Sequence, residues 1–107
     1  MLDTNKYTVD FSNVNNYREI HSILKQSLNF PYYYGGHLDA LFDCLTDMLS
    51  DISIIEICGL EKLKQYNDYD QKIIKVFQDA KHDWGDEFAN RFLVTIIHED
   101  GTREEIE

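Results

Sequence analysis

Basic residues are what this sequence is short of. Ten Lys and Arg stand against twenty Asp and Glu, a formal charge of -10 over 107 residues. Between Gln26 and Glu61 there is neither a Lys nor an Arg. Such a balance disfavours nucleic acid and anionic membrane as direct partners and favours a basic protein. Long apolar runs are also missing. No stretch approaches the roughly 18 apolar residues of a membrane span. The opening MLDTNKYTVD has no apolar segment behind a positive start, so no secretory leader is expected. Cys44 and Cys58 are the only cysteines, too few for a disulfide framework. Free thiols in a reducing, cytoplasmic compartment are expected. Proline occurs once, and there is no repeat, low-complexity tract or linker, so residues 1–107 read as one domain. There is no Gly-rich phosphate loop and no Ser or Cys nucleophile constellation, and no cofactor is expected.

What is there is a regular alternation of strand and helix signals. Tyr7, Val9 and Phe11 alternate with polar neighbours as a first strand over about 6–11 would. Asn16 with Glu19 three positions on has the spacing of a helix capping box. Tyr17, Ile20, Leu24 and Leu28 then form a buried stripe, and Pro31 is placed to end that helix. The segment PYYYGG (Pro31 to Gly36) is a loop with two glycines free to take positive φ. Leu38, Leu41, Phe42, Leu45, Met48 and Leu49 recur at helical spacing, with Cys44 inside the pattern. The β-branched run Ile52 to Ile57 predicts a buried strand, Leu60 to Tyr66 a short helix, and Asp70 to His82 a longer one with Ile73, Ile74, Phe77 and Ala80 inward. RFLVTIIH (Arg91 to His98) is the strongest strand signal. Asp100-Gly101 suggests a hairpin returning through Arg103 to Ile106. Helices between the first three strands imply parallel pairing. The expected class is α/β: a small three-stranded parallel sheet with helices packed against it, and a possible fourth, antiparallel C-terminal edge strand.

One element looks wrong for stability alone. Asp39, Asp43 and Asp47 recur every four residues and stack on one face of the second helix. Like charges at that spacing cost roughly 0.2–0.5 kcal/mol per pair. Asp is a poor helix former, and near the helix C-terminus Asp47 opposes the macrodipole. Tyr32, Tyr33 and Tyr34 stand beside the row on the preceding loop, and aromatics next to carboxylates suit a protein interface. A basic enzyme cleft built for phosphates would accept such carboxylates as phosphate mimics.

FPYYYGGHLDALFDCLTDM (Phe30 to Met48) closely resembles the loop and second helix of the barstar family, intracellular inhibitors of barnase-type ribonucleases. VFQDAKHD (Val76 to Asp83) resembles the family's last helix more weakly, and the order of elements extends the likeness over about residues 5 to 98. The resemblance implies a bacterial inhibitor, a monomer when free, whose helix and preceding loop enter a basic ribonuclease. Asp43 matches the carboxylate that occupies the phosphate-binding centre, Asp39 the flanking carboxylate, and Tyr33 the tyrosine that stacks on a catalytic histidine. Gly35 matches the glycine whose backbone approaches the enzyme, and Asp79 a Glu that meets basic residues at the rim. His37, Leu38, Phe42 and Thr46 complete the implied contact set. Phe42 and Met48 stand where the family has Trp, and Asp79 is one methylene shorter than Glu.

Other chemistries fit less well. As a general acid and base, Asp39 and Asp43 have the Cβ separation of a retaining glycosidase pair. Both, however, project the same way from a convex helix. His37 with Asp39 and Asp43, or His82 with Asp83, would be an incomplete metal set, so solvated helix ends are the simpler expectation. The competing interaction readings are an immunity protein against a basic toxin unlike barnase, and an acidic scaffold with no nuclease partner.

Overall fold

Val9, Ile55, Ile57, Val94 and Ile96 form the buried face of a sheet whose strands leave alternate residues outward. The structure, a computed structural model, describes residues 4–47, 52–83 and 92–106. Strands β1 (Thr4–Asp10), β2 (Ile52–Cys58) and β3 (Phe92–Ile97) are parallel, and β4 (Arg103–Glu105) runs antiparallel on β3, in the order β1-β2-β3-β4. The register sets Val9 opposite Ile57 and Ile57 opposite Ile96, so the inward residues of adjacent strands meet side by side. Helices α1 (Tyr17–Ser27), α2 (Leu38–Thr46) and α3 (Tyr69–Asp83), with a 3-10 helix at Leu60–Gln65, pack against the sheet. Phe11, Phe77 and Phe92 fill the core between the layers, Phe77 stacked on Phe92 at 6.2 Å and 11°.

Three local expectations change. The run at 52–57 is buried on one face only: Ser53, Ile55 and Ile57 are inside, while Ile54, Glu56 and Cys58 are half-buried. Pro31 does not end α1. The helix stops four residues earlier, where Asn29 takes φ 57 and the Phe30 N–H donates to the Lys25 carbonyl at 3.0 Å, a Schellman closure with Asn at the left-handed position. Tyr17 is not in the buried stripe; it is 50% exposed, its ring edge-on to Tyr69 at 5.0 Å. The Asn16 cap forms, its side chain accepting from the Glu19 N–H at 3.2 Å, but the Glu19 carboxylate reaches back to the Asn15 N–H. Met48, Leu49, Asp51 and Arg91 lie outside the described residues.

The C-terminal hairpin forms as Asp100-Gly101 suggests. Gly101 takes φ 88, and Asp100 Oδ1 accepts from the Thr102 N–H at 3.0 Å and its hydroxyl at 2.7 Å. It closes the open edge of β3: the Ile106 side chain is buried, its N–H donates to the Val94 carbonyl, and its carbonyl accepts from Lys81 Nζ at 3.1 Å. Both cysteines are free thiols.

Gly59, after β2, has φ 71, and a Cβ there would collide with the Ser12 backbone nitrogen and lie 2.8 Å from the Phe11 carbonyl carbon. Both obstacles are main chain at the end of β1 and cannot swing away. Gly59→Ala is therefore expected to cost about 2 kcal/mol or more of stability, combining left-handed strain with overpacking. Urea unfolding of the variant checks this. An unchanged midpoint would show that the β1–β2 end yields.

Candidate partner-binding site

Loop 31–36 and helix α2 form one continuous exposed feature. The loop is a closed turn: the Tyr34 N–H donates to the Pro31 carbonyl at 3.0 Å, and Lys25 Nζ from α1 donates to the Tyr32 carbonyl at 3.4 Å. Tyr32 and Tyr33 stand out from it, 89% and 69% exposed, with rings perpendicular at 5.6 Å. Tyr34 turns inward instead, against Phe30 at 4.9 Å.

The two glycines differ. Gly36 takes φ 70 as expected. Gly35 has no positive φ, and its need is space: a Cβ would lie 2.8 Å from His37 Nε2. His37 itself caps α2. Its backbone is extended at φ -140, and Nδ1 accepts from the Ala40 N–H at 3.1 Å. With Nδ1 accepting, the neutral ring carries its proton on Nε2. His37 was expected to line the partner contact, and the cap gives it a structural task.

On α2, Leu41 and Leu45 are fully buried and fix the helix on the core. Leu38 and Phe42 are half-buried and pack on the same cluster, so they offer a partner less area than an exposed side chain would. Asp39, Asp43 and Asp47 all face solvent. Thr46 is half-buried, its hydroxyl donating to the Asp43 carbonyl at 2.9 Å. Asp79 is exposed on α3, the helix packed beside α2, and pairs with Lys75 at 3.6 Å. Tyr33 and Asp47 border one hollow of about 240 Å³ with Phe30 and Cys44. Burial, then Asp47 and Asp43, push the Cys44 thiol above its ordinary range, which keeps it protonated and unreactive.

The acids of the cation-free stretch separate into two kinds. Glu56, on the outer sheet face, is paired with Lys6 of β1 at 2.9 Å and with Arg103 of β4. Those hydrogen bonds hold its carboxyl below the usual range. Asp39, Asp43 and Asp47 have no ion partner among the described residues. Within that row the structural reasons also differ. Asp39 sits in the first turn of α2, where the macrodipole favours a carboxylate, whereas no basic residue balances Asp47 at the other end. Asp43, in mid-helix, has neither a favourable dipole nor a cation among the described residues. Among the described residues no three His, Cys, Asp or Glu side chains converge to hold a metal.

Behind the turn lies a group that was not singled out. His21 of α1 is 7% exposed, with Nδ1 2.6 Å from the Tyr34 hydroxyl and Nε2 2.6 Å from that of Tyr69. Its place between Ile20 and Leu24 on the inner side of α1 was the available signal. Burial, then the nearby His37, lower its pKa below the ordinary 6.5. Tyr34 and Tyr69 face it from the loop and α3, and Tyr17, Arg18 and Lys25 border the hollow in front of it. Because the folded state resists the proton that the unfolded chain takes up near pH 6.5, His21 stabilises the fold above that pH. The contribution is lost as pH falls below it. Urea midpoints between pH 7 and 5 should therefore fall more steeply for the wild type than for His21→Gln. Parallel profiles would assign the slope to other groups.

Fold and site together define a small α/β protein that presents a tyrosine-bearing turn and an acid-faced helix on one side. The chain belongs to the barstar family: residues 4–96 match the family described as "Barstar (barnase inhibitor)". It is also similar to the Bacillus subtilis (strain 168) protein named "Putative ribonuclease inhibitor YrdF", 33% identical over 84 residues, covering 78% of this chain and 92% of that protein.

Proposed function

We propose that this protein is a ribonuclease inhibitor that seats the 31–36 turn and the acidic face of α2 in the active site of a basic, barnase-like ribonuclease. The observation that carries the proposal is a pair of exposed carboxylates, Asp39 and Asp43, with no ion partner among the described residues, on the helix that follows the turn bearing the exposed ring of Tyr33. Carboxylates left without partners at a helix surface are available to cations that otherwise hold RNA phosphates. In this proposal Asp43 lies at the centre of the contact and Asp39 beside it. Tyr33 supplies stacking area, and Gly35 lets the backbone approach. His37, Leu38, Phe42 and Thr46 line the contact, and Asp79 meets the rim. The protein acts as a cytoplasmic monomer, without catalysis of its own, and protects the cell as an immunity protein does. Phe42 in place of the family Trp, and Asp79 in place of Glu, favour one second reading: a cognate enzyme that is a basic toxin unlike barnase.

Chemical-shift mapping with barnase as the probe tests the surface. Shifts should concentrate on residues 31–46 and Asp79. Shifts centred on the outer sheet face, at Lys6, Glu56 and Arg103, would reject the proposed surface.

A further inference from the structure

The turn that carries Tyr33 and Gly35 has few anchors of its own. Tyr32 and Tyr33 are exposed, Gly35 has no side chain, and Gly36 holds a left-handed φ. Apart from the 3.4 Å contact of Lys25 Nζ with the Tyr32 carbonyl, what ties it to the body of the protein is Tyr34. Its ring lies against Phe30, and its hydroxyl meets His21 Nδ1 at 2.6 Å. His21 Nε2 continues the line to the Tyr69 hydroxyl in the first turn of α3, also at 2.6 Å. Tyr69 is buried, with Tyr17 edge-on and Lys72 Nζ 5.8 Å from its ring centroid. The line therefore runs from the turn to a packed helix terminus through one imidazole.

We propose that His21 is a positioning residue of the partner-binding turn, bridging the Tyr34 and Tyr69 hydroxyls so that Tyr33 and Gly35 are held ready for the partner. The inference rests on the inhibitor function proposed above. A neutral imidazole suits this bridge, because it offers one N–H donor and one lone-pair acceptor. One tyrosine then donates to the ring while the other accepts from it. Both nitrogens of a buried imidazole need partners, and what is particular here is that the two partners sit on separate elements. Here the partners are 13 residues ahead of it and 48 residues ahead of it, on the turn and on α3. Preorganising a turn raises affinity by lowering the ordering cost of binding.

The test uses the full chain and two variants, Tyr34→Phe and His21→Gln. Tyr34→Phe keeps the ring on Phe30 and removes only the hydroxyl. Loss of one such hydrogen bond corresponds to about a tenfold change in an equilibrium. The turn amides of Tyr33 to His37 should therefore exchange with solvent about tenfold faster in Tyr34→Phe. Core amides of β2 and β3 should keep the wild-type rates. Inhibition of barnase should weaken by a similar factor, mainly through faster dissociation. His21→Gln retains a donor and an acceptor on one side chain and should recover part of the protection. Adding Tyr34→Phe to His21→Gln should cost less than it does alone. Turn exchange equal to wild type in Tyr34→Phe would overturn the proposal, and so would core amides accelerating as much as the turn, since His21 would then be merely structural. Because exchange is read on the free protein, it decides the role of His21 even if wild type fails to inhibit barnase, a failure that would count against the inhibitor function instead.

Discussion

Asp43→Ala is expected to weaken binding to a barnase-type ribonuclease by at least about thirtyfold, the roughly 2 kcal/mol threshold of an interface hot spot, while leaving the fold intact. Barstar itself supplies the extreme case of such a carboxylate, so the ranking is taken from the family and only a lower bound is set here. The structural part of the expectation comes from this chain. The two hydrogen bonds that finish α2 at Asp43, from the Thr46 hydroxyl and the Asp47 N–H, both use the Asp43 main-chain carbonyl. Alanine retains them. It also removes like-charge contacts with Asp39 and Asp47, worth roughly 0.2–0.5 kcal/mol per pair, and introduces the best helix former. The melting temperature should hold or rise slightly. Asp39→Ala should weaken binding less and also cost a little stability, because Asp39 favours the helix N-terminus. Asp47→Ala should stabilise the helix and leave binding close to wild type. Thermal melts with inhibition assays on the three variants check the order. An Asp43→Ala protein that melts early yet inhibits normally would make Asp43 a structural residue.

Association with a basic ribonuclease should slow by roughly tenfold or more as ionic strength rises from about 0.01 M to about 1 M, while dissociation changes far less. Over that range the screening length shrinks from about 30 Å to about 3 Å, so steering that reaches beyond contact disappears. The charge that steers is not the total of -10 alone. Glu56, Asp70 and Asp79 each have a cation within 4.0 Å, whereas the α2 row has none among the described residues. The α2 row therefore adds uncompensated negative charge to the face proposed to make contact. Stopped-flow association rates across a salt series measure the effect. Rates that stay level would remove steering from the account.

Much of the architecture was legible because its signals are local. Alternating β-branched residues, 3.6-residue spacing and Asp100-Gly101 each act over a few positions, and together they define the parallel strands and the closing hairpin. The acid row was legible for the same reason, since residues four apart share a helix face whatever the tertiary fold. What sequence did not disclose depends on partners far along the chain. Arg103 reaches Glu56 across 47 positions, which removes Glu56 from the acidic surface. His21 meets Tyr69 across 48, and although its place between Ile20 and Leu24 turns it inward, nothing local identifies that partner. One misreading and one feature left unread were local competitions. Asn29, able to take the left-handed conformation, ended α1 before Pro31 could, and the His37 imidazole took the capping place usually held by Ser or Asp.

The most direct measurement is a titration of purified protein into barnase cleaving RNA. The account predicts that cleavage falls linearly and is abolished near one inhibitor per enzyme, with Asp43→Ala displaced to much higher concentration. Undiminished cleavage at large excess of the wild-type protein would contradict it.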